Sequence, residues 1–164
     1  MQPVYEKLSA VKAELRESEL ATWRAFLAAH ALMIRAIERD LAKAELPPLS
    51  WYDVLFALYE APDRRLRIHE LADAVVLSRS GLSRLVDRLE AAGLLRRAAV
   101  AGDRRGAYAG ITRDGISTLR RMWPVYARCI AEHFVPQLGP NGPALRRALE
   151  GIPASVRERE SAAG

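Results

Sequence analysis

The stretch that decides the fold is residues 77–97, which read LSRSGLSRLVDRLEAAGLLRR. Its apolar residues recur at the three- and four-residue spacing of a helix, and they are Leu82, Leu85, Val86 and Leu89. Gly93 is the expected C-terminal cap, because glycine adopts the left-handed conformation that ends many helices. The pattern therefore predicts an amphipathic helix over about residues 79–92, with a polar face opposite the apolar one.

A shorter helix and a turn precede this segment. Residues 68–74 place Leu71 and Ala72 on one side of a helix, and residues 75–78 are interpreted as a turn. In helix-turn-helix proteins the second helix enters the major groove of DNA, which is about 12 Å wide. The polar face of that second helix can form hydrogen bonds with DNA, and it carries Arg79, Ser80, Ser83, Arg84 and Asp87.

A basic β-hairpin is predicted directly after the second helix. Residues 94–100 and 107–112 have the composition of two short strands, and residues 101–106 form a polar turn between them. A charged hairpin beside a recognition helix can reach the neighbouring backbone or the minor groove. The order of helix, turn, helix and basic hairpin therefore indicates a winged helix-turn-helix.

The positive charge of the chain is concentrated in the same segment. Residues 78–121 contain ten arginines and four acids, a net charge of +6, whereas the whole chain carries only +5. Each arginine alone is explained by a solvated surface, but the set in this order indicates an anionic partner. The polar face lacks interfacial aromatic residues, which argues against a membrane surface as that partner.

Amphipathic stretches flank this segment on the N-terminal side. One helix is predicted from Leu20 to a point before Pro47, with the apolar positions Trp23, Leu27, Ala31, Ile34, Ile37 and Leu41. Residues 4–15 carry apolar residues at the same helical spacing. They form either a separate helix or an earlier start of the same one. Ser50 is expected to cap a helix that ends at about Ala61, followed by a loop over residues 63–66.

Two further helical stretches are predicted on the C-terminal side. Thr112 is expected to cap a long helix that is kinked at Pro124 and ends near Pro136, with the apolar face Ile116, Leu119, Trp123, Tyr126, Ile130 and Phe134. A last segment is expected to begin at about Pro143, to break at Gly151 and Pro153, and to fray over residues 158–164.

The sequence resembles the MarR family of bacterial regulators over about residues 23–134. The recognition stretch, residues 77–97, carries part of the resemblance. The family's wing pattern, Asp-x-Arg followed by a strand and Leu-Thr-x-x-Gly, occurs as Asp103-Arg104-Arg105, Ile111-Thr112 and Gly115. Ala109 and Gly110 depart from the family, which usually has a larger apolar residue at the first of these positions. A glycine weakens a strand, so we expect a mobile wing in the absence of DNA.

The resemblance implies a mainly α fold with a small β-hairpin wing. Residues 46–115 would form the winged helix-turn-helix lobe, while residues 1–45 and 116–164 would supply helices that interlock in a homodimer. The operator would then be a pseudo-palindrome. Arg105 would enter the minor groove and Asp103 would stabilise the wing. The DNA-binding set is Ser78, Arg79, Ser80, Gly81, Ser83, Arg84, Arg88, Arg104 and Arg105.

The resemblance also implies a control input. Family members commonly hold a small aromatic effector between the dimerisation helices and the DNA-binding lobe, and the candidate lining residues here are Trp23, His30, Trp51 and Tyr52. Each of these has a plainer interpretation as a core or surface residue. Some relatives sense oxidants with a thiol near the N-terminus, but Cys129 lies after the wing and is expected to be buried and inert.

Several classes of function are disfavoured by the sequence. It has no nucleophile elbow, no glycine-rich phosphate loop and no metal-ligand spacing, so we expect neither an enzyme nor a metal or cofactor. A winged helix used only for protein contacts would carry a neutral or apolar recognition face. This alternative is disfavoured because the face here carries Arg79 and Arg84. The chain has no stretch of about 18 uncharged apolar residues and its first residues lack a signal-peptide core, so a cytoplasmic location is expected.

Overall fold

The computed structural model describes residues 15–75, 79–100 and 103–163. Most of the described residues are helical, as the sequence predicts. The helices are α1 (Glu17–Lys43), α2 (Leu49–Glu60), α3 (Ile68–Ala74), α4 (Arg79–Ala91), α5 (Arg113–Cys129), α6 (Val135–Leu138) and α7 (Gly142–Ala163). The strands are β1 (Arg65–Arg67), β2 (Leu95–Val100) and β3 (Asp103–Ile111). The predicted amphipathic stripe over residues 4–15 lies almost entirely outside the described residues.

The core of the lobe lies where α2, α3 and α4 meet one face of the sheet. Leucine and valine side chains dominate it because they bury apolar area without polar groups that need partners. The fully or almost fully buried residues include Val54, Leu55, Leu58, Leu71, Leu82, Val86, Leu89, Leu95 and Ala109. Ile37 and Leu41 in the last turns of α1, together with Met122 of α5, extend this core towards the terminal helices.

The described strands form an antiparallel sheet in the order β1-β3-β2. The predicted hairpin of β2 and β3 is present, and β3 is longer than expected because it begins at Asp103. The expected loop over residues 63–66 is wrong in its second half, since Arg65 pairs with Gly110 in β1. Three residues are too few to show the alternation that identifies a strand, so the third strand had no signal in the sequence.

The start of α2 differs from the prediction. Pro48 occupies the N-cap position and the helix begins at Leu49, so Ser50 is not its cap. The Leu49 backbone N–H donates to Glu38 Oε1 of α1 at 3.1 Å, and the Trp51 N–H donates to the Pro48 carbonyl at 2.9 Å. The Glu38 carboxylate thus accepts the hydrogen bond from an N–H group at the start of α2, in the place of a capping side chain.

The C-terminal helices are more continuous than the prolines suggest. After α5 a single π-helical turn, Ile130–Phe134, leads into α6, which ends at Leu138 rather than near Pro136. The predicted break at Gly151 and Pro153 is wrong, because α7 runs through both residues to Ala163. The predicted fraying of residues 158–164 stays a prediction. Proline removes one hydrogen bond from a helix but does not always end it.

Candidate nucleic-acid interface

Helix α4 has one buried face and one exposed face. Leu82, Leu85, Val86 and Leu89 are at most 2% exposed, as predicted from their spacing. Gly81, Ser83, Arg84, Asp87 and Arg88 are exposed on the opposite side. Arg79 and Ser80 lie in the first turn of the helix, but their side chains are outside the described part of the structure, and Ser78 is outside it altogether. The helix therefore presents to solvent a polar, arginine-containing surface on a rigid apolar base.

The wing follows α4 with only a short turn between them. Gly93 ends the helix with a φ of +72°, which is the left-handed conformation predicted for the cap. Asp103, Arg104 and Arg105 lie at the start of β3, where Asp103 pairs with Val100 after an irregularity in the register. Their side chains are outside the described part, so their roles in stabilising the wing and entering the minor groove stay predictions.

A network of ion pairs connects the wing to the recognition helix. The Arg97 guanidinium of β2 contacts Asp87 Oδ1 at 2.5 Å and Glu90 Oε2 at 2.7 Å, both on α4. The Arg97 backbone N–H also donates to Glu90 Oε1 at 2.9 Å. Arg97 therefore holds the strand against the helix and neutralises two acids close to the polar face. Sequence reasoning missed this role, because Arg97 lies on a strand and its partners lie on the preceding helix, so neither the helical nor the strand period relates them.

The junction between the wing and α5 requires a glycine. A Cβ atom built at Gly115 would lie 2.2 Å from the Leu94 carbonyl oxygen and 2.7 Å from Ile111 Cγ1, far inside van der Waals contact. Thr112 caps α5 as predicted, since its Oγ1 accepts from the Gly115 N–H at 3.0 Å and its hydroxyl donates to the Gly93 carbonyl at 2.7 Å. The Thr-x-x-Gly motif thus attaches the long helix to the base of the wing.

The proposed effector residues fall into two groups. Trp23 and His30 are exposed on the N-terminal half of α1, where both flank Phe26 with ring centroids 5.8 and 6.4 Å from it. Tyr52 is buried on α2, and Trp51 beside it is partly buried against the core. The structure does not record a ring contact between the two groups in the part of the chain it describes.

Tyr52 belongs to an aromatic cluster that joins α2 to α5. Its ring stacks on Phe56 at 5.7 Å and on Trp123 at 6.4 Å, and meets the edge of Tyr126 at 4.9 Å. Burial raises the pKa of Tyr52 to about 12, so its hydroxyl stays protonated at neutral pH. The sequence signal that was overlooked is the spacing of 52 and 56 on one helix and 123 and 126 on another.

The single cysteine is buried, as predicted. Cys129 is 1% exposed at the end of α5, and burial, aided by the nearby Asp40, raises the pKa of its thiol. A thiol of this kind reacts slowly, because the thiolate is the nucleophile.

The helix-turn-helix order, the exposed arginine face and the adjoining sheet define a winged-helix DNA-binding protein. A model described as the MarR family matches residues 45–106. AbsC, a MarR family transcriptional regulator from Streptomyces coelicolor, is 32% identical, with 90% of this chain and 99% of AbsC covered and a TM-score of 0.79. The chain therefore belongs to the MarR family of transcriptional regulators, and it is not an enzyme.

Two further relatives agree with this assignment. Sco3205, a MarR family regulator from the same organism solved in complex with DNA, is 33% identical, with 89% of this chain and 90% of Sco3205 covered and a TM-score of 0.76. The HTH-type transcriptional regulator MhqR of Bacillus subtilis is 36% identical over 81 residues. That match spans 49% of this chain and 54% of MhqR.

Proposed function

We propose that this chain is a repressor that binds a pseudo-palindromic operator as a homodimer and releases it when a small aromatic effector binds. The observation that carries this proposal is the two-sided character of α4, which is anchored by a buried leucine face and exposes Ser83, Arg84 and Arg88 beside a basic wing. This arrangement suits a helix that must enter a groove without unfolding.

The contacts are divided between the two grooves. Arg84 makes a bidentate contact with guanine and Arg88 contacts phosphate, while Ser78, Arg79, Ser80, Gly81 and Ser83 line the start of the helix. Arg104 and Arg105 act from the wing, with Arg105 in the minor groove, where narrow A·T-rich sequences attract arginine. Asp103 supports the wing. A regulator of this kind acts on the chromosome, which places it in the cytoplasm.

Exposed apolar side chains on the terminal helices support the homodimer. Trp23 and Leu32 of α1 are 53% and 58% exposed, and Phe134, Leu145, Ile152 and Val156 are exposed on the C-terminal helices. Large apolar patches of this kind mark interaction sites. Converting Trp23 and Leu27 to glutamate together is expected to yield a monomer in sedimentation experiments, because the two charges cannot be buried against a partner.

A bilayer is the alternative occupant of this apolar surface. Helix α1 is long and apolar enough to cross a membrane by length and composition alone, which is weak support. Its last turns bury Ile37 and Leu41 in the core of the lobe, and Arg24 and Arg35 interrupt its apolar surface. A dimer that sediments identically with and without detergent would exclude the bilayer.

The effector site is proposed at the boundary between the terminal helices and the lobe. Tyr52, with its neighbours on α2 and α5, is the centre of this site, and Trp51 extends it. Trp23 and His30 contribute to this site from the partner protomer, so the site is complete only in the dimer. An effector releases DNA only through different affinities for two arrangements of the recognition helices. Oxidation of Cys129 is not part of the proposal because the thiol is buried.

The deciding experiment is a fluorescence-anisotropy titration against the DNA upstream of the gene and a scrambled duplex of equal length, at about 50 and 200 mM salt. Saturable binding to the upstream DNA, with a Kd of about 10⁻⁸ to 10⁻¹¹ M that weakens as salt rises, is expected. The absence of salt-dependent binding to either duplex would refute DNA binding.

Two variants locate the contacts. Arg84→Ala is expected to weaken binding about tenfold or more and to relax the preference for one base pair, while Arg105→Ala weakens operator binding without changing the dimer. Lys43→Ala, which removes an exposed charge at the end of α1, is the control. Unchanged affinity in Arg105→Ala would count against the wing assignment.

A further inference from the structure

The sheet has an outer face that the helix-turn-helix mechanism does not use. Its inner face contributes Leu66, Leu95 and Ala109 to the core. Because side chains alternate along a strand, the neighbouring residues project on the opposite side. This surface, here called the outer sheet face, is formed by Arg65, Arg67, Arg96, Ala98, Tyr108 and Gly110.

The register creates a groove between two arginines. Gly110 of the central strand β3 is paired with Arg65 on one side and with Arg96 on the other. Because glycine has no side chain, the space between the two arginines stays open. The resulting groove has a volume of about 620 Å³, and Arg113 from the first turn of α5 also lines it. A phosphate group is small enough to enter between these side chains.

Tyr108 orders two of the arginines on this face. The Arg65 and Arg67 guanidinium carbons lie 5.2 and 5.6 Å from the centroid of the Tyr108 ring, within the range of cation–π interactions. Stacking restricts these long side chains in advance, which lowers the entropy lost when they bind a ligand. The planar N–H groups of the exposed Arg65 remain suited to bidentate phosphate contacts.

The charge balance of the outer sheet face favours an anion. Three exposed arginines, Arg65, Arg96 and Arg113, stand against Asp114 in the groove and Asp63 at its margin. The Asp63 carboxylate is 3.6 Å from Arg65, and both side chains are more than half exposed, so this pair is weak and does not cancel the charge. The exposed arginines suit an extended anion that lies along the surface.

We propose that the outer sheet face binds backbone phosphates of the duplex that flanks the operator. This inference rests on the proposed function. The wing is the end of the same sheet, with α4 against its inner side. A duplex that holds α4 in its major groove and the wing tip in its minor groove continues past the edge of the sheet. Its flanking part then lies towards the outer sheet face. Arg65, Arg96 and Arg113 then add contacts that depend on the length of the DNA and not on its sequence.

The test compares two duplexes with the wild-type protein and with the double variant Arg65→Ala/Arg96→Ala. One duplex contains only the operator, about two helical turns, and the other extends it by about one turn of unrelated sequence on each side. Wild type is expected to bind the extended duplex about tenfold more tightly and with a salt slope steeper by about 1 for each added contact. The double variant is expected to bind both duplexes equally.

Controls separate this inference from the proposed function. Lys43→Ala removes a positive charge outside the outer sheet face and should keep the advantage of the extended duplex. Unchanged melting temperature of the double variant excludes misfolding. Gly110→Leu fills the groove without changing charge, and its Cβ meets only ordinary contacts at 3.7 and 3.8 Å, so it should also remove the advantage.

Two results would overturn the inference. One is equal affinity of the wild type for both duplexes, and the other is an advantage that persists in the double variant. Equal affinity for both duplexes together with arginine-dependent binding of inorganic tripolyphosphate would assign the surface to a free polyphosphate instead. Failure of the wild type to bind the operator itself would instead refute the proposed function.

Discussion

The winged-helix lobe and the terminal helices bury their apolar residues in different ways. In the lobe, each predicted apolar position of α4 is buried within the single chain. In α1 the stripe is divided, since Ile37 and Leu41 are buried while Trp23 and Leu27 are about half exposed. The lobe is therefore complete within one chain, and the terminal helices carry apolar surface that one chain does not cover.

Helix α5 shows both kinds of surface on one element. Leu119, Met122 and Cys129 are buried against the body of the protein, whereas Trp123, one residue after Met122, is 52% exposed. A periodic apolar pattern reports that a surface is buried somewhere, but it does not identify the chain that buries it. The comparison predicts that substitutions on the inner side reduce stability, and that those on the outer side reduce association.

The largest effect is expected for Leu41→Ala on the inner side of α1. Leu41 is fully buried where this helix meets the lobe, so truncation loses transfer free energy and leaves a cavity. The free energy of unfolding is expected to fall by about 2 to 5 kcal/mol, measured by urea denaturation.

Leu32→Ala is the matched control, because it makes the same chemical change on the same helix at a residue that is 58% exposed. It should barely change unfolding at a protein concentration that saturates any dimer, but it should raise the dimer dissociation constant. Equal losses of stability in the two variants at low concentration would break the distinction between the two surfaces.

A smaller loss is expected for Gly115→Ala at the junction of the two regions. The new methyl group would overlap the Leu94 carbonyl, so the first turn of α5 must move away from the wing, at a cost of about 1 to 3 kcal/mol. Thermal unfolding followed by circular dichroism measures this loss.

Gly151→Ala tests the same substitution where the space is open. No atom lies within 4 Å of a Cβ built at Gly151, in the interior of α7. Alanine should therefore leave the melting temperature unchanged or raise it slightly, since it favours the helix by about 0.5 to 1 kcal/mol. A comparable loss in both variants would show that the contact with Leu94 is not the cause.

The sequence predicted most of the lobe because local signals and burial coincide there. Leu82 to Leu89 on α4, Gly93 at its end and Thr112 at the start of α5 all have the predicted roles. The start of α2 could not be predicted, because a contact with Glu38, eleven residues before Leu49, replaces a local cap.

The candidate site was predictable in part. The exposed face of α4 follows from its period, and the MarR resemblance is confirmed. Contacts between distant residues leave no periodic pattern in the sequence. The sequence therefore identifies Arg97 only as one of ten basic residues, and it does not separate the four proposed effector residues into two groups. The third strand was hidden for the same reason, since Arg65 is a strand residue only through its pairing with Gly110.

Arg97→Ala is expected to cost little stability and more function. The side chain of Arg97 is 33% exposed, and those of its partners Glu90 and Asp87 are 37% and 62% exposed. Because solvent screens these ion pairs, their loss should lower the free energy of unfolding by only about 0.5 to 1 kcal/mol. Operator affinity should fall further, about tenfold, because the wing loses its fixed position on α4 and two carboxylates beside the DNA-binding face lose their partner.

Two measurements on this variant are decisive. Anisotropy titration gives the loss of affinity, and urea denaturation gives the loss of stability. Arg120→Ala, which removes an exposed charge from α5, is the control. A loss of affinity no greater in Arg97→Ala than in Arg120→Ala would show that Arg97 contributes only its charge.

The smallest effect is expected at Cys129, whose reaction rate reports on the inner side of α5. The thiol is buried and burial raises its pKa, so the folded protein should react with a disulfide reagent far more slowly than the urea-unfolded chain. Leu41→Ala should accelerate labelling, because weaker packing of α1 raises the population of open states. Arg120→Ala, on the exposed side of the same helix, should not. Rapid labelling of the wild type would mean that the inner side of α5 opens readily in solution. The buried and exposed sides of α5 would then differ only slightly in their access to solvent.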